Sequence, residues 1–175
     1  MYWLYDHFEG VRAFLQSGGT VLYAIAILTF WMWTLVFERI WYFRFALQKD
    51  MAAAMEVWES RAERKSWNAR QIRRSLISQM NESIDQNMSL IKAVVALCPL
   101  MGLLGTVTGM IEVFNIMAVT GGGEARAMAS GVSMATIPTM AGMVAALSGV
   151  FANTYITRVA QRESALFADH LTTDH

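Results

Sequence analysis

A chain of 175 residues that is 55% hydrophobic and 16% charged, with a mean hydropathy of +0.34, carries too little charge for an ordinary soluble domain and favours residence in a membrane. Its formal net charge is zero, and no nucleic-acid partner or cofactor is expected. A single cysteine, Cys98, excludes an internal disulfide framework, and His7, His170 and His175 sit at the chain ends at no ligand spacing, so no metal site is expected.

Asp6 and Glu9 precede the first apolar run. A cleaved signal peptide would open on a basic stretch, so this run is expected to remain as an anchor. Leu4, Phe8, Val11 and Leu15 recur at spacings of 4, 3 and 4, which predicts a short amphipathic helix over residues 1–17 on the outer surface of the membrane. The first span is assigned to residues 18–38. Within it residues 20–37 form an uncharged run of 18, the lower bound for crossing about 30 Å of hydrocarbon. Trp31, Trp33, Trp41 and Tyr42 crowd its far end like an interfacial belt.

Residues 39–92 form the long inner segment. From 45 to 90 there is neither proline nor glycine, and Ala, Glu, Arg, Met and Gln dominate, so helix is predicted with a break only over residues 60–68. The first and second spans are thus expected to extend inward as an antiparallel helical hairpin. The second span covers 93–119, uncharged for 19 residues up to Ile111. The loop 120–127 contains GGGEAR, a tight connection between antiparallel neighbours. The third span, 128–157, lies in an uncharged run of 31 residues, more than one crossing needs, so tilt or projection is expected. Residues 158–175 read as a C-terminal cytoplasmic helix. Orientation follows from Lys and Arg: 12 of the 14 fall in residues 39–92 and after 157, against only Arg12 and Arg126 elsewhere. That asymmetry places the inner segment and the C-terminus in the cytoplasm and turns the N-terminus outward.

The second and third spans are unlike the first. At 100° per residue Gly102, Thr106, Gly109 and Val113 fall within about 60° of one another, with Gly105, Gly109 and Glu112 on an adjacent stripe. In the third, Gly131, Ala135, Thr139, Gly142, Ala146, Gly149 and Asn153 share about 80°. Such stripes let a neighbouring backbone approach closely in lipid, and they have a plain reading as packing surfaces alone. Thr106 and Thr139 sit near mid-span on these faces. Each hydroxyl has two readings: a bond back to its own helix, or a place in the lining of a wet cavity. Pro138 frees a carbonyl beside Thr139 and favours the second; Pro99 does the same near the inner end of the second span. Glu112 is the one ionisable side chain inside a span. Its carboxylate is costly in hydrocarbon, and ion traffic and a subunit-interface hydrogen bond are equally open to it. Lys92 is placed to snorkel toward lipid phosphate, and Arg70, Arg73 and Arg74 read as a solvated helical face. There is no GxSxG, HExxH, Walker loop or carboxylate pair beside a histidine, so enzyme chemistry is not expected.

The pair GLLGTVTGM and, about 25 residues on, GVSMATIPTMAGMVAAL resembles the ExbB/TolQ/MotA family of proton-channel proteins, closest to a short ExbB. The likeness covers nearly the whole chain. It implies an all-α integral membrane protein of three transmembrane helices with long cytoplasmic extensions, assembled as a pentameric ring around two single-span helices of ExbD. It implies a proton carried on an ExbD aspartate and work delivered through TonB to outer-membrane uptake of cargo such as iron-siderophores. The family's two lining threonines correspond to Thr106 and Thr139. Many relatives carry a glutamate where Met134 stands, so this chain cannot use that carboxylate: either it is dispensable or Glu112 supplies a charge from the second helix. A TolQ-like subunit for envelope integrity and a flagellar MotA-like stator are alternatives; the inner segment is short for the latter. From another class, a passive scaffold recruiting partners through its basic hairpin remains open.

Overall fold

The computed structural model describes residues 14, 18–61, 63, 66–120 and 125–171. The amphipathic helix expected over 1–17 falls outside them except for Phe14, as do residues 121–124 of the glycine-rich loop. Among the described residues the chain is helical: α1 (Gly19–Trp41), a π-helical turn (Tyr42–Ala46), α2 (Leu47–Glu59), α3 (Trp67–Asp85), α4 (Met88–Thr120) and α5 (Ala125–His170). Three stretches are long and apolar enough to cross a membrane: Gly19–Glu59, Trp67–Val119 and Gly131–His170. They belong to a multi-pass membrane protein.

Local chemistry sets the helix ends. Gly19 opens α1 with φ of 66°, a left-handed backbone that glycine adopts without a Cβ clash. Within the break expected at 60–68, Ser66 is the N-cap of α3, and its hydroxyl accepts a hydrogen bond from the Ala69 N–H at 3.1 Å. A second break was not expected. α3 ends at Asp85, and Asn87 has φ of 62°, so the inner segment does not run as one helix into the second span. Asn is the residue after glycine that best tolerates this conformation, which is why a search for glycine and proline missed it. Pro99 and Pro138 lie inside unbroken helices.

The chain divides into two compact units, one drawn from Met1–Trp33 with Ala93–Val150, the other from Thr34–Lys92 with Phe151–His175. In the first, Leu22, Ile25 and Met32 of α1 are buried together with Cys98 and Val113 of α4 and Ala135, Ala145 and Ala146 of α5. Many larger side chains, including Phe30, Leu100, Phe114 and Met140, stay exposed, as expected of helices whose outer faces meet lipid. In the second unit the core is Leu47 and Trp58 of α2, Ala69, Met80 and Ile84 of α3, and Ile156, Ala160 and Phe167 of α5. Two polar links tie α3 to α5. The Ser164 hydroxyl donates to Asn81 Oδ1 at 2.6 Å. Arg73 donates from Nε to the Leu171 carbonyl at 2.6 Å and from Nη2 to the Ala168 carbonyl at 2.9 Å. A cation on the unpaired carbonyls at a helix C-terminus is favourable. Arg73 is therefore a cap on α5, not part of a purely solvated face.

Candidate functional site

In the first unit α4 and α5 run antiparallel with their small residues face to face. A Cβ placed on Gly142 would stand 2.6 Å from the Cys98 carbonyl oxygen, one on Gly109 2.6 Å from the Ala135 Cα, and one on Gly102 3.0 Å from the Thr139 Cα. Gly149 meets Met32 Sδ and Val95, Gly105 meets the Pro138 ring, and Gly131 meets Val113. At Gly142, Gly109 and Gly102 backbone lies directly on backbone, so even a methyl group there would push the helices apart. Ala135 and Ala146 are buried in the same unit.

This close approach brings one predicted threonine onto its neighbour. Thr139 Oγ1 donates to the Gly102 carbonyl of α4 at 3.0 Å, so its hydroxyl bonds across helices. Thr106 differs. Its Oγ1 donates to the Leu103 carbonyl on its own helix at 2.7 Å, the local back-bonding common in membrane helices. Both side chains are half-buried. Pro138 is fully buried, wedged against Gly105. Pro99, with no N–H, leaves the Val95 carbonyl without its helical donor, as Pro138 leaves that of Met134. The Met134 methyl lies 3.9 Å from where a Cβ on Gly19 would be, so it faces the start of α1.

The structure does not bring Glu112 to the threonines. Six residues on from Thr106, it is turned about 120° around the helix. There it lines an open depression of about 500 Å³ with Thr108, Ile111, Asn115, Ile116 and Val119. Thr108 and Asn115 escaped the sequence reading. Their spacing from Glu112, four before and three after, is a one-face helical spacing that could have flagged them. The Thr108 hydroxyl is shared between the Leu104 and Gly105 carbonyls, each at 3.1 Å. On the α1–α5 side a separate apolar groove of about 770 Å³ is lined by residues including Ile25, Phe30, Ile137, Met140 and Val144. Among the described residues no cluster of His, Cys, Asp or Glu could hold a metal ion.

Arg39 also escaped, having been counted only as an inner-side charge. Met32, Val36, Arg39 and Leu47 are all buried, at spacings of 4, 3 and 8, so Arg39 occupies a position in the buried stripe of its helix and is 1% exposed. Its Nη1 donates to the Ser83 carbonyl at 3.3 Å, and its guanidinium lies 5.1 Å from the centroid of the Tyr42 ring. The half-exposed carboxylate of Glu38 lies 3.8 Å from its Nε. The Tyr42 hydroxyl in turn donates to Asp50 at 3.0 Å.

Residues 42–169, well over half of the chain, match the MotA/TolQ/ExbB proton channel family. The chain is similar to the biopolymer transport protein ExbB-like 1 of Synechocystis sp., with 29% identity over an alignment of 184 residues that covers 87% of this chain and 72% of that protein. It is similar also to the biopolymer transport protein ExbB of Helicobacter pylori, at 30% identity over 82 residues, 47% of this chain and 57% of that one.

Proposed function

The chain belongs to the MotA/TolQ/ExbB proton channel family, and from that premise we propose that it is an ExbB-type subunit of a motor driven by proton-motive force in a bacterial inner membrane. Five copies ring a central passage that holds two helices of a single-span ExbD-like partner. The partner's intramembrane aspartate carries the proton, and a TonB-like protein passes the work to outer-membrane uptake. The N-terminus faces the periplasm and the C-terminus the cytoplasm. Thr106 and Thr139 line the passage, where hydroxyls hydrogen-bond a carboxylate without fixing a competing charge. A proton crossing 100 mV releases about 2.3 kcal/mol, which replaces the nucleotide such a device would otherwise need.

The observation that carries this reading is the family match across the two helices bearing both threonines, with α4 and α5 held backbone to backbone around them. We place Glu112 outside the passage because it lies on a different face from Thr106, and assign it to contact between neighbouring copies. The test is proton uptake by vesicles holding the chain together with its single-span partner. Thr106→Val and Thr139→Val should each abolish energised uptake and leave the assembled complex intact. Normal uptake by both variants would remove the threonines from the passage, and no conductance in the parent complex would favour the passive scaffold.

A further inference from the structure

Besides Arg61 Nε, beyond the end of α2, three polar side chains of the second unit have buried atoms with no hydrogen-bond partner: Arg39 through Nε and Nη2, Asn153 through Oδ1 and Thr157 through Oγ1. Leaving such atoms bare is costly, most of all for a charged group, so each needs an explanation. Their positions supply one. Ile40 and Ile156 line the same small depression, which sets Arg39 of α1 at the level of residues 155–156 of α5. Asn153 and Thr157, three before and one after Ile156, share the helix face of the buried Ile156 and Ala160. Donors on α1 and acceptors on α5 thus meet at one level, all shielded from solvent.

We propose that Arg39, Asn153 and Thr157 enclose an internal water site, in which one or two water molecules bridge the guanidinium to the amide oxygen and the hydroxyl. The donor set chooses water over an anion. Nε and Nη2 can only donate, and Asn153 Oδ1 can only accept. An anion would satisfy the guanidinium and be repelled by the amide oxygen, whereas water accepts from the first and donates to the second. Water held by two to four polar partners is the ordinary occupant of such a space. A fixed positive charge repels a passing cation, so this site stands beside any proton route. It does not depend on the function proposed above.

Radiolytic hydroxyl labelling of the full-length chain in its extracted complex tests the site, because radicals form from trapped water and oxidise the side chains around it. Ile156 is expected to label several-fold faster than Ile91, which is equally buried in the same unit. In the Asn153→Leu, Thr157→Val double variant the Ile156 rate should fall to that of Ile91. Equal labelling of the two isoleucines in the parent chain would overturn the proposal. So would a high-resolution map showing Arg39 Nη2 bonded directly to Asn153 Oδ1 with nothing between, or a bromide anomalous peak marking an anion there.

Discussion

Gly109→Ala measures how tightly α4 and α5 are joined. The new methyl would sit 2.6 Å from the Ala135 Cα, 2.8 Å from its Cβ and 2.9 Å from its backbone nitrogen. Comfortable carbon contacts begin near 3.5 Å, so the helices must part by roughly 1 Å at this level. The obstructing atoms are mostly backbone and cannot rotate away, so the strain falls in the usual range for overpacking, about 1–3 kcal/mol. Gly142→Ala should behave alike, since its methyl would meet the Cys98 carbonyl oxygen at 2.6 Å. Gly102→Ala should be milder, its closest approach being 3.0 Å. Equilibrium unfolding in mixed micelles reads the series, and the expected order of loss is Gly109 and Gly142 ahead of Gly102. A Gly109→Ala variant as stable as the parent would show that α4 and α5 are not in backbone contact there, and the antiparallel pairing described for them would be wrong.

Thr139→Val deletes a hydrogen bond between helices and should lower stability by about 0.5–1.5 kcal/mol in the same assay, whereas Thr139→Ser should restore most of it. Thr106→Val loses only a bond to its own helix, so stability should hold within about 0.5 kcal/mol; a larger loss would mean that its hydroxyl has a structural partner across the interface. Arg73→Met strips two charge-assisted bonds from the end of α5 and should cost about 2 kcal/mol locally, seen as a roughly thirtyfold rise in amide exchange over the last turn. Glu112→Gln should leave proton uptake per assembled complex unchanged; loss of conductance in an intact complex would return the carboxylate to the ion route.

The three apolar helices are legible in the sequence because uncharged runs of span length have few other uses. A period near 3.6 gathers Gly102 with Gly109, and Gly131 with Gly142 and Gly149, on single faces; in the structure Gly102, Gly109 and Gly142 lie against backbone of the opposite helix, whereas Gly131 and Gly149 lie against side chains, those of Val113 and of Met32 and Val95. What stayed hidden depends on context. Asn87 breaks the inner segment through its backbone conformation, and composition alone gives Asn no such role. Arg39 and Arg73 look like surface charges until the fold buries one and sets the other against a helix end. Ring size, and the helices that fill a ring, are properties of several chains and are not written in the packing of one.

The grip of Arg73 on Ala168 and Leu171 joins positions 95 and 98 residues apart. It has a practical bearing on engineering this chain. A deletion that removes the final turn of α5 would take away the oxygens that hold this guanidinium and leave a cation stranded against α3. Affinity tags and fluorescent fusions are therefore best appended beyond Leu171, and a shortened variant that behaves poorly should first be suspected of having lost this clasp before any motor defect is inferred.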